Sequence, residues 1–207
     1  MRNKQMHELE LFPVLIAVVP NFLETYQLTD LVDYAKKIKM TQHSELVGDA
    51  VSSHNPNSFD LNNIAKIESC KNIILDLQAA VDFYAAKYGF FKSKISNSWL
   101  NIQKKHSALN YHTHPGSVVS GALYVKIDEK SSKLSFLNPN PYIKFTAKDG
   151  VNLSKYMYEF AFIAPNAGDL VLFPSWMSHG SGVEKNMSNE RIVISFNTNY
   201  NEMEIQK

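Results

Sequence analysis

Asn110-Tyr111-His112-Thr113-His114-Pro115 is the stretch on which the reading of this chain turns. Side chains alternate across a β-strand, so on a strand running through Asn110 the two histidines share one face. Pro115 has no N–H to give to a ladder and ends regular pairing, which leaves both imidazoles at a strand end, beside a loop. A third histidine stands in Phe173-Pro174-Ser175-Trp176-Met177-Ser178-His179-Gly180, after the apolar run Asp169-Leu170-Val171-Leu172-Phe173. An adjacent strand can deliver that residue to the same mouth. Imidazole suits iron, zinc, copper and nickel, and a three-ligand face with open positions suits iron-based oxygen chemistry. The other histidines carry no such pattern. His7 and His43 read as solvent-exposed, His54 falls in a polar loop, and His106 follows two lysines at a turn.

The sequence around these histidines has the texture of an all-β unit. Short runs rich in Val, Ile, Tyr, Phe and Leu occupy 98–103, 107–112, 118–127, 133–136, 156–163, 169–173 and 191–197. Turn residues separate them, among them Pro115-Gly116, Asn138-Pro139-Asn140-Pro141 and Pro165-Asn166-Ala167-Gly168. The N-terminal part reads differently. Thr29-Asp30 is placed to cap a helix through Leu31, Val32, Tyr34, Ala35, Ile38 and Met40. A longer helix fits Asn72 to Tyr88, with Ile73, Ile74, Leu77, Ala80, Val81, Tyr84 and Ala85 at three-four spacing and Gly89 as its C-terminal cap. Residues 41–60 read as a polar loop, and Leu11 to Pro20 as a buried strand. That apolar run is too short to span a bilayer, and Glu8 and Glu10 ahead of it do not suit a signal peptide.

Short strands after a helical start predict a mainly β fold with N-terminal helices, a double-sheet jelly roll. Residues 1–207 read as a single domain, with 1–95 as helical support and 96–200 as the jelly-roll core. The chain's 207 residues suffice for one substantial core. Apolar residues at 44% and charged residues at 20% are ordinary for a soluble protein, and a net charge of +1 gives no reason to expect nucleic acid or an anionic membrane as partner. The single cysteine, Cys70, excludes an internal disulfide, suits a reducing compartment such as the cytoplasm, and reads as a buried structural thiol.

Arg191 opens the last apolar strand. Arg191, Val193, Ser195 and Asn197 share one face, and Ile192, Ile194 and Phe196 the other. The second face is wholly apolar and belongs against a core. The first is mixed, as the lining of a ligand cavity would be. Arg191 there can grip a carboxylate as a two-pronged donor, or simply pair with Glu184 or Glu190. Tyr124 shares a face with Ser120 and Ala122, small neighbours that leave room for a ligand, and its phenol can donate to a carboxylate. It also reads as an ordinary core tyrosine. Trp99, Asn101 and Trp176 are further lining candidates, each equally suited to a structural place. The loops around 41–60 and 138–155 are candidates for substrate contact.

These residues resemble those of the Fe(II)/2-oxoglutarate-dependent oxygenases, and in particular a group of such proteins found in bacteria and in viruses that infect bacteria. The resemblance rests on Leu11-Phe12-Pro13, Ser98-Trp99-Leu100-Asn101, His112-Thr113-His114-Pro115-Gly116-Ser117, Ser120-Gly121-Ala122-Leu123-Tyr124, the stretch from Pro165 to Pro174, His179, and Arg191 to Asn197. It implies a double-stranded β-helix, cupin-like, with Fe(II) at its open end and 2-oxoglutarate chelating the metal. His112 falls on the first metal-ligand position and His179 on the last. Arg191 falls on the basic residue that grips the distal carboxylate of 2-oxoglutarate, and Tyr124 on a tyrosine that assists it in prolyl-hydroxylase-like members. The superfamily usually has an aspartate or glutamate two residues after the first histidine; here that position is His114. Three neutral histidines leave the iron with one less negative charge, which should alter its redox potential.

The resemblance implies an O2-dependent hydroxylation that releases succinate and CO2. Two other readings fit the same residues. One is a three-histidine metalloenzyme that does not use 2-oxoglutarate, either oxidising a thiol or acting as a zinc hydrolase. The other is a non-catalytic jelly-roll binding module. The primary substrate and the oligomeric state are not written in the sequence.

Overall fold

The protein is described by a computed structural model, which covers residues 12–55, 57–146 and 157–200. Strand β1 (Ala17–Val19) precedes helix α1 (Thr25–Ala35). Strands β2 (Leu46–Val47) and β3 (Ala50–Ser52) lead to the short helix α2 (Leu61–Ile64), a 3-10 turn at Glu68–Cys70 and the long helix α3 (Ile73–Tyr88). The β unit follows: β4 (Ser93–Gln103), β5 (Ala108–Leu109), β6 (Val119–Lys126), β7 (Leu134–Leu137), a helical turn α4 (Ile143–Thr146), β8 (Phe160–Ile163), β9 (Leu170–Pro174), β10 (His179–Gly180) and β11 (Arg191–Tyr200). A six-stranded sheet has the order β1-β9-β6-β11-β4-β3, and a three-stranded sheet the order β10-β7-β8. Every ladder between these strands is antiparallel. This is the mainly β jelly roll expected from the strand spacing. Among the described residues no helix is long and apolar enough to cross a membrane.

The alternation along β11 divides the interior in two. Ile192, Ile194 and Phe196 are fully buried among Leu31, Leu61, Ile64, Leu77 and Val81, so one face of the large sheet packs on the helices. Val193 turns the other way and packs with Ala122, Tyr124, Val171, Phe173, Leu134 and Phe136, between the two sheets. The central strands β6, β9 and β11 are therefore covered on both faces, and the second face leads to the mouth of the roll.

One glycine on β6 is dictated by this packing. A Cβ at Gly121 would lie 2.1 Å from the ring of Phe196, its partner across the ladder. Phe196 has no exposed surface to retreat into. Gly121→Ala should therefore destabilise the fold by about 1–3 kcal/mol, the usual penalty for overpacking. A chemical-denaturation midpoint equal to that of the parent would show that the ring can shift freely.

Several sequence expectations need correction. Helix α1 starts at Thr25, not after Thr29-Asp30, because Gln27 Oε1 accepts the Glu24 N–H at 2.9 Å and completes a capping box there. Ile38 and Met40 lie beyond its end. The run read as a buried strand over Leu11 to Pro20 contributes only the three residues of β1, at the edge of the large sheet, with Val18 42% exposed; Leu11 itself lies outside the described residues. Residues 41–60 are not one loop, since β2 pairs with β5 and β3 extends the large sheet beside β4. The strand expected over 107–112 is confined to Ala108–Leu109. The predicted strand from Tyr156 appears as β8, and Tyr156 falls outside the described residues, as do His7 and most of the 138–155 loop beyond Thr146. Helix α3 matches its expected bounds, with Gly89 at φ 76° in the left-handed cap. Cys70 is fully buried beneath it, as read.

Candidate metal centre

His112 and His179 meet backbone to backbone. The His112 N–H donates to the His179 carbonyl and the His179 N–H to the His112 carbonyl, both at 3.0 Å. Gly180 permits this approach, because a Cβ there would stand 2.7 Å from the Leu109 carbonyl oxygen and 2.9 Å from that of Asn110. The His114 N–H donates to the Ser175 carbonyl at 2.9 Å, which fastens the segment around the first two histidines to the one before His179. The pair His112 and His114 does not sit on a regular ladder, as strand alternation would have it. His112 makes an isolated bridge, and yet the rings still converge, with centroids 4.9 Å apart. The ring of His179 lies 4.3 Å from that of His112 and 5.1 Å from that of His114. One nitrogen from each of the three lies within 4.8 Å of the others, a spacing one metal ion could bridge.

The tautomers follow from the hydrogen bonds. His112 Nδ1 lies 2.9 Å from the Asn110 carbonyl and His179 Nδ1 2.9 Å from the Met177 carbonyl. A carbonyl only accepts, so both Nδ1 atoms carry the proton and both Nε2 lone pairs are left for a metal. Burial, reinforced by His112, pushes the pKa of His114 and of His179 down to about 3. Neutral imidazole is the ligating form. The sign for stability is clear. Below the ordinary value of 6.5 the unfolded chain takes up protons that these two folded rings refuse, so acid favours unfolding down to about pH 3. Each ring should cost about 1–2 kcal/mol at pH 5. The melting temperature of metal-free protein should fall from pH 7.5 to pH 5, and less so in His179→Gln; an identical fall in both would remove this ring from the account.

The inner wall of the same cavity, of about 240 Å³, comes from directly paired residues of β4, β6 and β11. Gln103 faces Arg191, Asn101 and Tyr124 flank Val193, and Trp99 and Ala122 flank Ser195. Paired residues point to the same side of a sheet, so all of these line one surface. Arg191 is only 6% exposed and Tyr124 only 1%. The guanidinium carbon sits 5.3 Å from the centroid of the Tyr124 ring, and Arg191 Nη1 donates to Gln103 Oε1 at 2.5 Å. Neither acid that might have claimed Arg191 does so: Glu190 pairs with Lys126 at 2.7 Å and Glu184 with Lys133 at 3.4 Å. Burial raises the pKa of Tyr124 above the ordinary phenol and lowers that of Arg191 from its own ordinary value, a guanidinium that still stays charged. The result is a buried cation with only neutral partners. Among the described residues, five buried side-chain atoms lack a hydrogen-bond partner, and three of them belong to this wall: Arg191 Nε, Gln103 Nε2 and the Tyr124 hydroxyl. All three can donate, which is the complement of an anion.

The structure thus gathers His112, His114, His179, Arg191 and Tyr124 around one cavity. Trp99 and Asn101 line it as well, whereas Trp176 is 49% exposed and is not part of the wall. Four residues of the wall carry no individual role in the sequence reading: His43, Glu45, His54 and Gln103. His43 reads as exposed but is half-buried; His54 does lie in a loop and is half-buried too; both line the outer wall with Glu45, inside the 41–60 segment read as a candidate for substrate contact. Their rings form an edge-on chain: His43 to His54 at 4.7 Å, His54 to Trp99 at 4.7 Å, and Trp99 to His114 at 5.8 Å. The short ladders of β2 on β5 and β3 on β4, with the Thr41–Ser52 bridge, bring them here, and strands of two or three residues show no periodicity to betray it. Gln103 was missed because a lone glutamine at the end of a strand carries no signal of its own.

Residues 97–197 match a family described as "Putative 2OG-Fe(II) oxygenase". No curated protein sequence matches the chain. Among solved structures, it resembles a prolyl-4-hydroxylase from Pseudomonas putida at 13% identity, with 89% of this chain and 92% of that one covered and a TM-score of 0.62. HygX from Streptomyces hygroscopicus, solved with nickel and 2-oxoglutarate bound, is similar at 11% identity over 91% of this chain and 84% of its own, with a TM-score of 0.62. The non-heme alpha-ketoglutarate-dependent epimerase SnoN from nogalamycin biosynthesis gives 11% identity, 89% and 78% coverage and a TM-score of 0.63. At these identities the structures speak for the shared fold, and a hydroxylase and an epimerase stand side by side on it.

Proposed function

We propose, on the premise that residues 97–197 match the 2OG-Fe(II) oxygenases, that this protein binds Fe(II) through His112, His114 and His179, holds 2-oxoglutarate through Arg191 and Tyr124, and hydroxylates a substrate seated in the outer part of the cavity. One juxtaposition carries the reading. Three converging imidazoles share a cavity with a buried cation that no carboxylate pairs among the described residues. The donor set suits iron, and the orphaned donors suit a carboxylate, so the residues present fit both groups. When bound, iron and 2-oxoglutarate would supply an O2-dependent oxidation in which the oxo acid is converted to succinate and CO2.

The chain's own part is orientation and shielding. The Asn110 and Met177 carbonyls hold the rings of His112 and His179 with Nε2 turned inward. Arg191 and Tyr124 fix the far end of the oxo acid, and so set where its oxo-acid end lies relative to the three rings. Trp99, 7% exposed, has its ring 4.7 Å from that of His54 and 5.8 Å from that of His114. His43, Glu45, His54 and Asn101 face the space left for the substrate. Burial and its neighbour His43 lower the pKa of His54, so this wall presents a neutral ring at neutral pH. The lone buried thiol Cys70 fits a reducing, cytoplasmic setting in a bacterium or a phage-infected cell.

One observation favours a second reading. His114 stands where a carboxylate is usual, and a three-histidine site can work without 2-oxoglutarate, with Arg191 then holding the substrate's own carboxylate. Anaerobic titration of 2-oxoglutarate into Fe(II)-loaded protein separates the two. A visible charge-transfer band that is absent in His112→Ala is the expected result. Stoichiometric iron with no band would transfer the site to the second reading.

A further inference from the structure

We infer that Gln103 is a third arm of the carboxylate grip, its Oε1 holding Arg191 in place while its Nε2 donates to the carboxylate that Arg191 binds. The inference rests on the reading that this cavity takes 2-oxoglutarate, and it adds a residue that the fold and the sequence motifs leave without a role.

The orientation of the amide is forced by chemistry. Arg191 has donors only, so the atom of Gln103 that faces Nη1 at 2.5 Å must be the oxygen. The Nε2 end then points elsewhere, and it is buried without a partner in a side chain that lines the cavity. Gln103 is 1% exposed, so water at the surface does not serve it. Its backbone is held from three directions. It pairs with Arg191 of β11 on one side and Ala50 of β3 on the other, and its carbonyl accepts Asn186 Nδ2 at 3.1 Å. A side chain so anchored presents its amide at little entropic cost.

Charge explains why an amide stands here. A glutamate at 103 would hold Arg191 as well or better, but it would cancel the charge that draws the ligand. Glutamine fixes the guanidinium and leaves its full positive charge facing the cavity. With Arg191 Nε and the Tyr124 hydroxyl, Nε2 makes three orphaned donors on one wall. A carboxylate offers two oxygens and about four acceptor sites, enough for all three. The ligand class this selects is an oxo acid with a second, distal carboxylate, rather than a simple monocarboxylic oxo acid.

The test compares two probes, 2-oxoglutarate and 2-oxobutyrate, which lacks the distal carboxylate. Each is titrated anaerobically into Fe(II)-loaded parent protein, Gln103→Glu and Gln103→Leu, with the charge-transfer band and calorimetry as readouts. Gln103→Glu keeps the acceptor for Arg191 and so removes the donor without releasing the guanidinium. Affinity for 2-oxoglutarate should fall about 100-fold in Gln103→Glu and about 10-fold or more in Gln103→Leu, the range for hydrogen bonds to charged groups. Affinity for 2-oxobutyrate and for Fe(II) should change less than about threefold, being governed by the metal. Equal losses for both probes would assign Gln103 a merely structural place and overturn the inference, as would unchanged 2-oxoglutarate binding in both variants. Parent protein that binds iron but neither probe would instead overturn the function proposed above, and this inference with it.

Discussion

Arg191→Ala should weaken 2-oxoglutarate binding by about 100-fold or more while leaving the iron site intact. Truncating one partner of a buried, hydrogen-bonded charge pair commonly costs 2–5 kcal/mol, and each 1.4 kcal/mol is about tenfold. The fold should not suffer in proportion. In the ligand-free protein the guanidinium is a buried charge whose hydrogen-bond partner among the described residues is the neutral amide of Gln103, so its removal relieves an uncompensated charge. The expected signature is therefore a large loss of affinity with a melting temperature equal to or above that of the parent. Arg191→Lys keeps a charge but loses the planar fork, and should fall between the two. Parent-like affinity for 2-oxoglutarate in Arg191→Ala would refute the assignment.

His179→Ala should abolish stoichiometric iron binding. Changes to groups that only orient a metal ligand cost about 10- to 100-fold in affinity, so loss of a ligand should exceed that. His179 is the most buried of the three rings, and its backbone is paired with His112 whatever its side chain is, so the variant keeps the local geometry and loses only the imidazole. His114→Asp makes the useful contrast. It replaces the proposed third histidine ligand with the carboxylate usual in the superfamily, and it should retain iron. Iron quantified after anaerobic loading and desalting reads both variants. Full occupancy in His179→Ala would mean that the metal lies elsewhere.

Much of this is legible in the sequence. The β unit could be read because its strands alternate, and β11 shows the reason most clearly: Ile192, Ile194 and Phe196 went to the helices and Arg191, Val193 and Ser195 to the cavity. The histidines were legible as residue types, but for a partly mistaken reason. The two rings at 112 and 114 converge through loop hydrogen bonds to His179 and Ser175, and strand alternation is not what aligns them. What remained hidden were features made by pairing across long distances in sequence. Strands of two or three residues, such as β2 (Leu46–Val47) and β3 (Ala50–Ser52), are too short to show a period, and the polar residues around them look like a loop. His43 and His54 reach the cavity because β2 finds β5 and β3 finds β4. Helix α1 was misplaced because its start is set by one side-chain bond at Gln27, which competes with an equally plausible cap at Thr29.

The two walls of the cavity are anchored very differently. Gln103, Tyr124 and Arg191 stand on long strands whose opposite faces hold the core, so their backbone positions are fixed by the whole protein. His43, Glu45 and His54 flank two short strands at the margin, β2 paired with β5 and β3 paired with β4. Such a division separates what must stay fixed from what can drift. On the function proposed here, selection, or an engineer exchanging the segment from 43 to 54, could retune the choice of substrate while the inner wall is inherited unchanged.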